Sequence, residues 1–249
     1  LARINLAIRY LPGNVEVLYR NITEKNFLTS YIETDFAFII GNPPWGFHFE
    51  KEEKKELKKR YYTAGKQQVE SFNLFVECAV GKLKQHGTIA FILPEAVLAV
   101  KAHSRMREFL KEQVKIDIVE YLGEVFHHVQ CPSLILKMKK SEEPFSFVGT
   151  RVKTKSRDYV IRTERTVKED GWMLHVPDDI YALMEKIQKE EHVVSLKGNS
   201  IFALGIVTGD NRKRVFTQET IPANQKEPYE KVLKGSDVFP YRVNQPKYY

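Results

Sequence analysis

The sequence predicts an α/β fold. Three observations carry this. Phe36–Ile40 is an unbroken apolar run, the pattern of a strand buried on both faces in a parallel sheet. Thr88–Leu93 is a second such run. Between and after them, segments with helical apolar spacing alternate with strand-like ones in the order β, α, β, α, β, β.

The elements follow in chain order. Leu1–Leu11 places Leu1, Ile4, Leu6, Ala7, Tyr10 and Leu11 at helical spacing, and Pro12-Gly13-Asn14 stops it. Val15–Tyr19 predicts a short strand. Phe36–Ile40 ends abruptly in Gly41-Asn42-Pro43-Pro44. Residues 50–62 are dominated by charge. Ser71–Leu83 is an amphipathic helix, with Phe72, Phe75, Val76, Ala79, Val80 and Leu83 on one side. Gly87 punctuates, and Pro94 closes the strand Thr88–Leu93. Ala96–Val114 predicts a helix. Lys115–Leu122 alternates, and Ser133–Met138 is the last strand of the domain, giving a hairpin-like close. From 141 to 195 charged and β-prone stretches alternate, with turns at Gly171-Trp172 and Pro177-Asp178-Asp179 and a short helix at Ile180–Lys189. A strand-rich segment starts near Ser200. The expected organisation is a first domain over 1–140, a connecting region over 141–195 and a further domain over 196–249. Leu1 opens in mid-helix pattern and the chain stops at NQPKYY without a terminal signal, so it reads as a piece cut at both ends.

Composition narrows the function. With 43% hydrophobic residues the chain can bury a core, and disorder is excluded. The net charge of +7 favours an anionic partner such as nucleic acid. No apolar run approaches the ~20 residues of a membrane span. Cys78 and Cys131 are too few and too far apart for a disulfide framework or a zinc site, which fits a reducing cytoplasm. His48, His103, His127 and His128 form no metal-ligand pattern, so no metal is expected.

Gly41-Asn42-Pro43-Pro44-Trp45 is the stretch that carries chemistry. It follows a buried strand, where open α/β sheets build their sites. Methylating an aromatic amine is hard because the nitrogen lone pair is delocalised into the ring. A site must accept both amine hydrogens. Asn42 offers a side-chain carbonyl. Pro43 offers a backbone carbonyl with no competing N–H, and Pro44 stiffens the loop. Trp45 offers a flat face. Such fixed acceptors stabilise positive charge developing on the nitrogen. The bland alternative is a strand-ending Asn-Pro turn beside a core tryptophan.

Here the chain resembles a family. Asn-Pro-Pro-aromatic is the signature of amino-methyltransferases with the class I S-adenosylmethionine-dependent fold, which is Rossmann-like. Ser71–Pro94 (SFNLFVECAVGKLKQHGTIAFILP) is similar to the helix and strand that follow it in adenine-specific (N6) DNA methyltransferases of restriction–modification systems. Tyr121–Lys139 resembles their final β-hairpin. GIVTGDN at 205–211 and KGSD at 234–237 resemble the start of their target-recognition region. The resemblance implies S-adenosyl-L-methionine as cofactor, double-stranded DNA as partner with a restriction nuclease domain or subunit beside it, and base flipping. It implies Asn42, Pro43, Pro44 and Trp45 as catalytic residues. Trp45, where most members carry Tyr or Phe, would stack on the base, and Phe126 would pack on it from the hairpin side or is an ordinary core phenylalanine. Asn21, where the family often has Asp, would hold the cofactor's adenine with Ile22 and Asn42. Phe72 and Asn73 match a segment near cofactor and base, or are plain helix-start packing. For DNA contact, Lys66 and Gln67 are placed in a flexible-looking loop, and Arg212, Lys213 and Arg214 follow the GIVTGDN turn. The Lys51–Arg60 run, interleaved with Glu52, Glu53 and Glu56, reads as a solvated helix face. The family's glycine-rich cofactor loop and its acidic ribose contact are expected upstream of residue 1, so residues 1–249 alone should bind cofactor poorly and be inactive. Gly205–Gly209 lies too late to replace that loop. The same signature also serves RNA guanine and protein amide methylation, and a non-catalytic DNA-binding subunit is a reading of another class. A cytosine amine goes more often with Ser-Pro-Pro.

Overall fold

The computed structural model describes the chain except for residues 1–8, 10–15, 31–32, 66–68, 127–130, 167–170, 195, 197–198, 201–209, 218, 222–229 and 249. The chain forms two compact units, Leu1–Glu190 and Glu191–Tyr249.

The first unit is built on a six-stranded sheet. Its strands are β1 (Phe36–Gly41), β2 (Leu83–Pro94), β3 (Val114–Gly123), β4 (Ser133–Lys140), β5 (Arg151–Lys153) and β6 (Asp158–Val160), in the spatial order β1-β2-β4-β3-β5-β6. β1 and β2 are parallel. β4 returns antiparallel and inserts between β2 and β3, forming the hairpin that the sequence implies, although the sheet continues beyond β3. Its side chains explain its central place. Leu134, Leu136 and Met138 are fully buried, and each such side chain contributes about 1.5–3 kcal/mol of transfer free energy.

Helices α1 (Glu16–Asn21), α2 (Lys51–Arg60), α3 (Ser71–Lys82), α4 (Ser104–Gln113) and α5 (Asp178–Lys189) complete the unit. α3 is buried on two sides. Phe72, Val76, Ala79 and Val80 join the sheet's core, which also holds Ile89, Leu93, Leu110 and Val119. Leu74 and Cys78 join a second cluster with Leu28, Phe49, Leu57 and Tyr61, against which Phe75 packs. The predicted one-sided stripe is therefore too narrow, and Phe75 belongs to the other face.

Several predicted elements differ. Of the strand expected over Val15–Tyr19, the described residues from Glu16 on are helical instead, in Glu16–Asn21. So short an apolar run does not distinguish the two states, and Glu16 and Arg20 have the i,i+4 spacing that favours helix. The helix predicted over 96–114 starts at Ser104. Before it lie two 3-10 turns, Glu95–Leu98 and Lys101–His103. Arg107 from α4 donates to the carbonyls of Val97 and Val100 at 2.9 Å, taking acceptors that a continuous helix would use itself. β2 begins at Leu83, five residues before the predicted strand, and its pairing with β1 shifts register between Phe36 and Phe38. Gly87 sits at that irregularity, where a Cβ would lie 2.8 Å from the Phe36 carbonyl. β1 is not buried on both faces: Phe38 and Ile40 are 72% and 83% exposed, and β2 is its one strand neighbour among the described residues.

The stretch expected to connect domains instead extends this unit. β5 pairs with β3, β6 pairs with β5, and Phe147, Ile161, Trp172 and Leu174 are buried in the sheet's core. Pro177-Asp178-Asp179 opens α5 rather than a free turn, with both carboxylates in the first turn where the helix dipole favours them.

In the second unit the described residues form a short helix α6 (Asn211–Arg214), a 3-10 turn at Gly235–Asp237 and a hairpin of β7 (Val238–Phe239) and β8 (Arg242–Val243). Tyr248 bridges Thr217 and Val232. Most of the predicted strand-rich start lies outside the described residues. No helix among the described residues is long and apolar enough to cross a membrane.

Candidate active site

The Asn42–Trp45 loop leaves the carboxyl end of β1. Asn42 is exposed, Pro43 buried, Pro44 exposed and Trp45 half-buried. Gly46 follows with φ +63°, a left-handed turn that suits glycine. The loop then returns through Phe47 to Phe49, whose buried ring joins the second cluster. Proline supplies no N–H at 43 or 44, so the loop has few donors of its own. Ser71, fully buried in the first turn of α3, donates to the Pro44 carbonyl at 2.5 Å and accepts from the Phe47 N–H at 3.3 Å.

Phe126, beyond the end of β3, meets Trp45 edge-on with ring centroids 5.2 Å apart and planes at 89°. The two aromatics assigned to the base are thus brought together. The Trp45 indole N–H is buried and has no hydrogen-bond partner among the described residues.

Pro44 also lines a cavity of about 670 Å³, together with Asn26, Leu28, Phe47, Phe75 and the α2 carboxylates Glu52, Glu53 and Glu56. Phe75 is backed by Phe27, stacked at 5.3 Å and 17°. The Asn26 side-chain oxygen accepts from the Leu28 N–H at 3.0 Å and the Thr29 N–H at 3.3 Å, which leaves its amide NH2 to offer. This wall is braced from behind. Tyr61 donates to the Leu28 carbonyl at 2.7 Å and Cys78 to the Phe27 carbonyl at 3.4 Å. Burial pushes the Tyr61 phenol well above its ordinary pKa, so it stays a neutral donor. Asn21 and Ile22 do not line this cavity. Asn21 ends α1 and Ile22 follows it, ahead of the Asn26 turn. Asn26 and Phe75, which line the cavity, and Ser71, which bonds the loop, were not singled out from the sequence as site residues. The usable signal was that Asn26-Phe27-Leu28 is the next Asn-apolar pair before β1.

The remaining expectations divide. Phe72 and Asn73 are buried at the start of α3. Phe72 packs on His103 at 5.1 Å, and Asn73 Nδ2 lies 3.4 Å from His103 Nδ1. Burial first, and Arg107 second, hold the His103 pKa below the ordinary value, so the ring is neutral. α2 shows the expected solvated face, with Lys55–Glu52 at 3.0 Å and Lys59–Glu56 at 2.7 Å. Lys213 and Arg214 are exposed on α6. Lys66, Gln67 and the 205–209 part of GIVTGDN lie outside the described residues, as does the Arg212 side chain. In KGSD, the Asp237 carboxylate accepts from the Lys234 N–H at 2.8 Å. Among the described residues no cluster of His, Cys, Asp or Glu could hold a metal.

Parts of the chain are similar to known proteins. Residues 12–126 match the family described as Eco57I restriction-modification methylase. The chain is 29% identical over 200 residues to the type II restriction enzyme and methyltransferase RM.Eco57I of Escherichia coli, covering 74% of this chain and 20% of that protein. It is 29% identical over 124 residues to the type II methyltransferase M.TthHB8I of Thermus thermophilus, covering 47% and 29%. A solved structure, the M protein of the type I restriction enzyme EcoKI, aligns with a TM-score of 0.44 at 15% identity, over 75% of this chain and 38% of that one. The chain thus spans under a third of the length of these two curated relatives. The sheet has the α/β arrangement, with an antiparallel strand inserted, that the sequence resemblance implies, and residues 12–126 are similar to the Eco57I restriction-modification methylase family.

Proposed function

We propose that the protein transfers a methyl group from S-adenosylmethionine to the N6 amine of an adenine flipped out of double-stranded DNA, as the modification activity of a restriction–modification system. One observation carries this reading. Asn42-Pro43-Pro44-Trp45 stands at the carboxyl end of β1, with Pro44 lining the large cavity and Trp45 meeting Phe126.

The cavity's chemistry fits the cofactor. Phe75, Phe47 and Leu28 offer apolar and aromatic wall to an adenine ring, and the Asn26 amide offers it a donor. Glu52, Glu53 and Glu56 keep lone pairs that offer acceptors to ribose hydroxyls, while Lys55 and Lys59 pair with Glu52 and Glu56, and Lys59 and Arg60 on the same wall balance the charge. We assign Asn26 and Phe75 this role beside Asn42, ahead of Asn21 and Ile22. S-adenosylmethionine supplies a methyl group on a sulfonium, which leaves as a neutral thioether.

The chain's own residues do the rest. The Asn42 side-chain carbonyl and the Pro43 backbone carbonyl accept the two amine hydrogens and draw the nitrogen lone pair out of the ring. They also stabilise the positive charge on nitrogen as the bond to carbon forms, and the surplus proton passes to water. Trp45 and Phe126 hold the base, offsetting the few kcal/mol that flipping costs. Lys66, Gln67, Arg212, Lys213 and Arg214 hold the duplex through its phosphates. A restriction nuclease acts on the unmodified site.

The test uses the full polypeptide, duplex genomic DNA and methyl-labelled S-adenosylmethionine, with the digested nucleosides separated. Label should appear in N6-methyladenine and fall at least about 100-fold in Asn42→Ala, the scale of removing one pre-aimed electrostatic group. Label in RNA or protein, or DNA binding without transfer, overturns the proposal.

A further inference from the structure

We infer that Ser71 is a positioning residue of the transfer site. From the first turn of α3 its hydroxyl fixes the Pro44–Phe47 turn, and through it the aim of Asn42, Pro43 and Trp45. The inference rests on reading the 42–45 loop as the place of methyl transfer.

Ser71 is 0% exposed. A serine at a helix start usually caps its own helix, but this one makes no such bond, because Glu70 is the N-cap and has no side-chain cap hydrogen bond. Its two contacts reach 27 and 24 residues back along the chain. The O–H donates to the Pro44 carbonyl, and the oxygen accepts from the Phe47 N–H. The two bonds bracket Trp45 and Gly46.

The loop needs an outside donor. Neither Pro43 nor Pro44 has an N–H, so no backbone donor lies between Asn42 and Trp45 to close the turn from within. Gly46, at φ +63°, adds conformational freedom at the point where the loop reverses. The prolines limit φ at two positions but leave the peptide planes around Trp45 free to turn. Ser71 removes that freedom. It ties the loop to α3, which is held between two hydrophobic clusters and so moves little. A further effect concerns the acceptors themselves. With its carbonyl engaged by Ser71, Pro44 does not compete with Pro43 for an amine hydrogen, so the geometry is restricted to the Asn42 and Pro43 pair.

Catalysis by aimed acceptors is sensitive to such placement, and a displacement of about 1 Å costs on the order of 100-fold. Ser71→Ala removes both bonds while leaving α3 and its clusters in place. In the full polypeptide we expect the rate of methyl transfer to fall about 10- to 100-fold. The KM for DNA should stay within about threefold, because the phosphate contacts are not touched, and the Kd for S-adenosylmethionine should rise less than the rate falls, because of the cavity wall Pro44 and Phe47 are loosened while Asn26, Leu28 and Phe75 stay in place. Ser71→Cys, which keeps a weak donor and acceptor at the same point, should lie between the two. A second readout is independent of activity. With 5-fluorotryptophan incorporated, the Trp45 fluorine resonance, assigned by Trp45→Phe, should shift or broaden in Ser71→Ala while the other tryptophan resonances stay in place.

The outcomes separate the two readings. A wild-type protein that transfers nothing to DNA sinks the proposed function, yet the Trp45 resonance still decides whether Ser71 fixes the loop. An active wild type with Ser71→Ala within about threefold of its rate, or an unmoved Trp45 resonance, overturns the inference. So does a loss of cofactor binding together with movement of every tryptophan resonance, which would make Ser71 a general stability residue.

Discussion

Tyr61→Phe removes one oxygen from behind the cavity wall, and its effect follows from the structure. The Tyr61 ring is 7% exposed, and its hydroxyl donates to the Leu28 carbonyl at 2.7 Å. Phenylalanine keeps the packing but leaves that carbonyl buried without this donor. Stranding one buried partner costs about 1–3 kcal/mol. For a domain of this size each kcal/mol moves Tm by roughly 2–4 °C, so the expected drop is roughly 2–12 °C. Leu28 lines the cavity, so cofactor affinity should weaken as the turn relaxes. The pH dependence provides an independent check. Burial is the first cause of the raised Tyr61 pKa, and a hydrogen bond with Cys78 the second. A pKa raised on folding gives stability that is complete below the unfolded value, about 10 for tyrosine, and is lost as pH rises above it. The gap between wild type and Tyr61→Phe should therefore be constant below about pH 10 and shrink above it. Thermal denaturation across pH and calorimetric titration with S-adenosylmethionine measure both effects. A Tm within about 1 °C of wild type at neutral pH, against the slope above, would refute the reasoning.

Two further predictions concern the frame. Leu136→Ala, at a fully buried position on the strand between β2 and β3, should cost about 2–5 kcal/mol in chemical denaturation. Asp178→Asn should remove an acid-labile part of stability. Burial alone would raise the Asp178 pKa, but hydrogen bonds from the Arg162 N–H, the Arg165 guanidinium and Thr163 outweigh it and hold the carboxyl below its ordinary value. A depressed pKa gives stability present above the unfolded value and lost as pH falls through the folded one. The wild-type advantage, about 1.5–3 kcal/mol near neutrality, should shrink below about pH 4, and an advantage unchanged at pH 3 would contradict it.

What the sequence revealed tracks how local the cause was. The strand ends at Gly41 and Pro94, the hairpin of β3 and β4 and the site loop were legible because runs, breakers and alternation act within a few residues. The run Phe36–Ile40 was legible as a strand but not as an exposed one. Burial of Phe38 and Ile40 depends on neighbours, and apolar composition does not name them. The helix over 96–114 failed because its carbonyls at Val97 and Val100 found Arg107, a competitor that no propensity records. The connecting region failed for the same reason in reverse. Its charged surface pattern hid Phe147, Ile161, Trp172 and Leu174, whose partners lie on strands far away in sequence.

The site divides along the same line. Asn42, Pro43 and Trp45, the residues proposed for the transfer step, lie in one tetrapeptide, so spacing alone singled them out. The cavity wall proposed for the cofactor is assembled from the Asn26 turn, α2 and α3, and no periodicity links Asn26 to Phe75. Choosing Asn21 over Asn26 was a choice between two asparagines five residues apart. What separates them is that Tyr61 and Cys78 hold the carbonyls of Leu28 and Phe27, and nothing in the pattern around Asn26 announces those bonds. Ser71 is the sharpest case. In sequence it is a helix-start serine, for which capping is the economical reading. In space both of its bonds go to the loop of β1, because the loop's two prolines leave the turn short of donors and α3 is the rigid element within reach. The same prolines that made the motif recognisable are thus the reason that a residue outside it is needed.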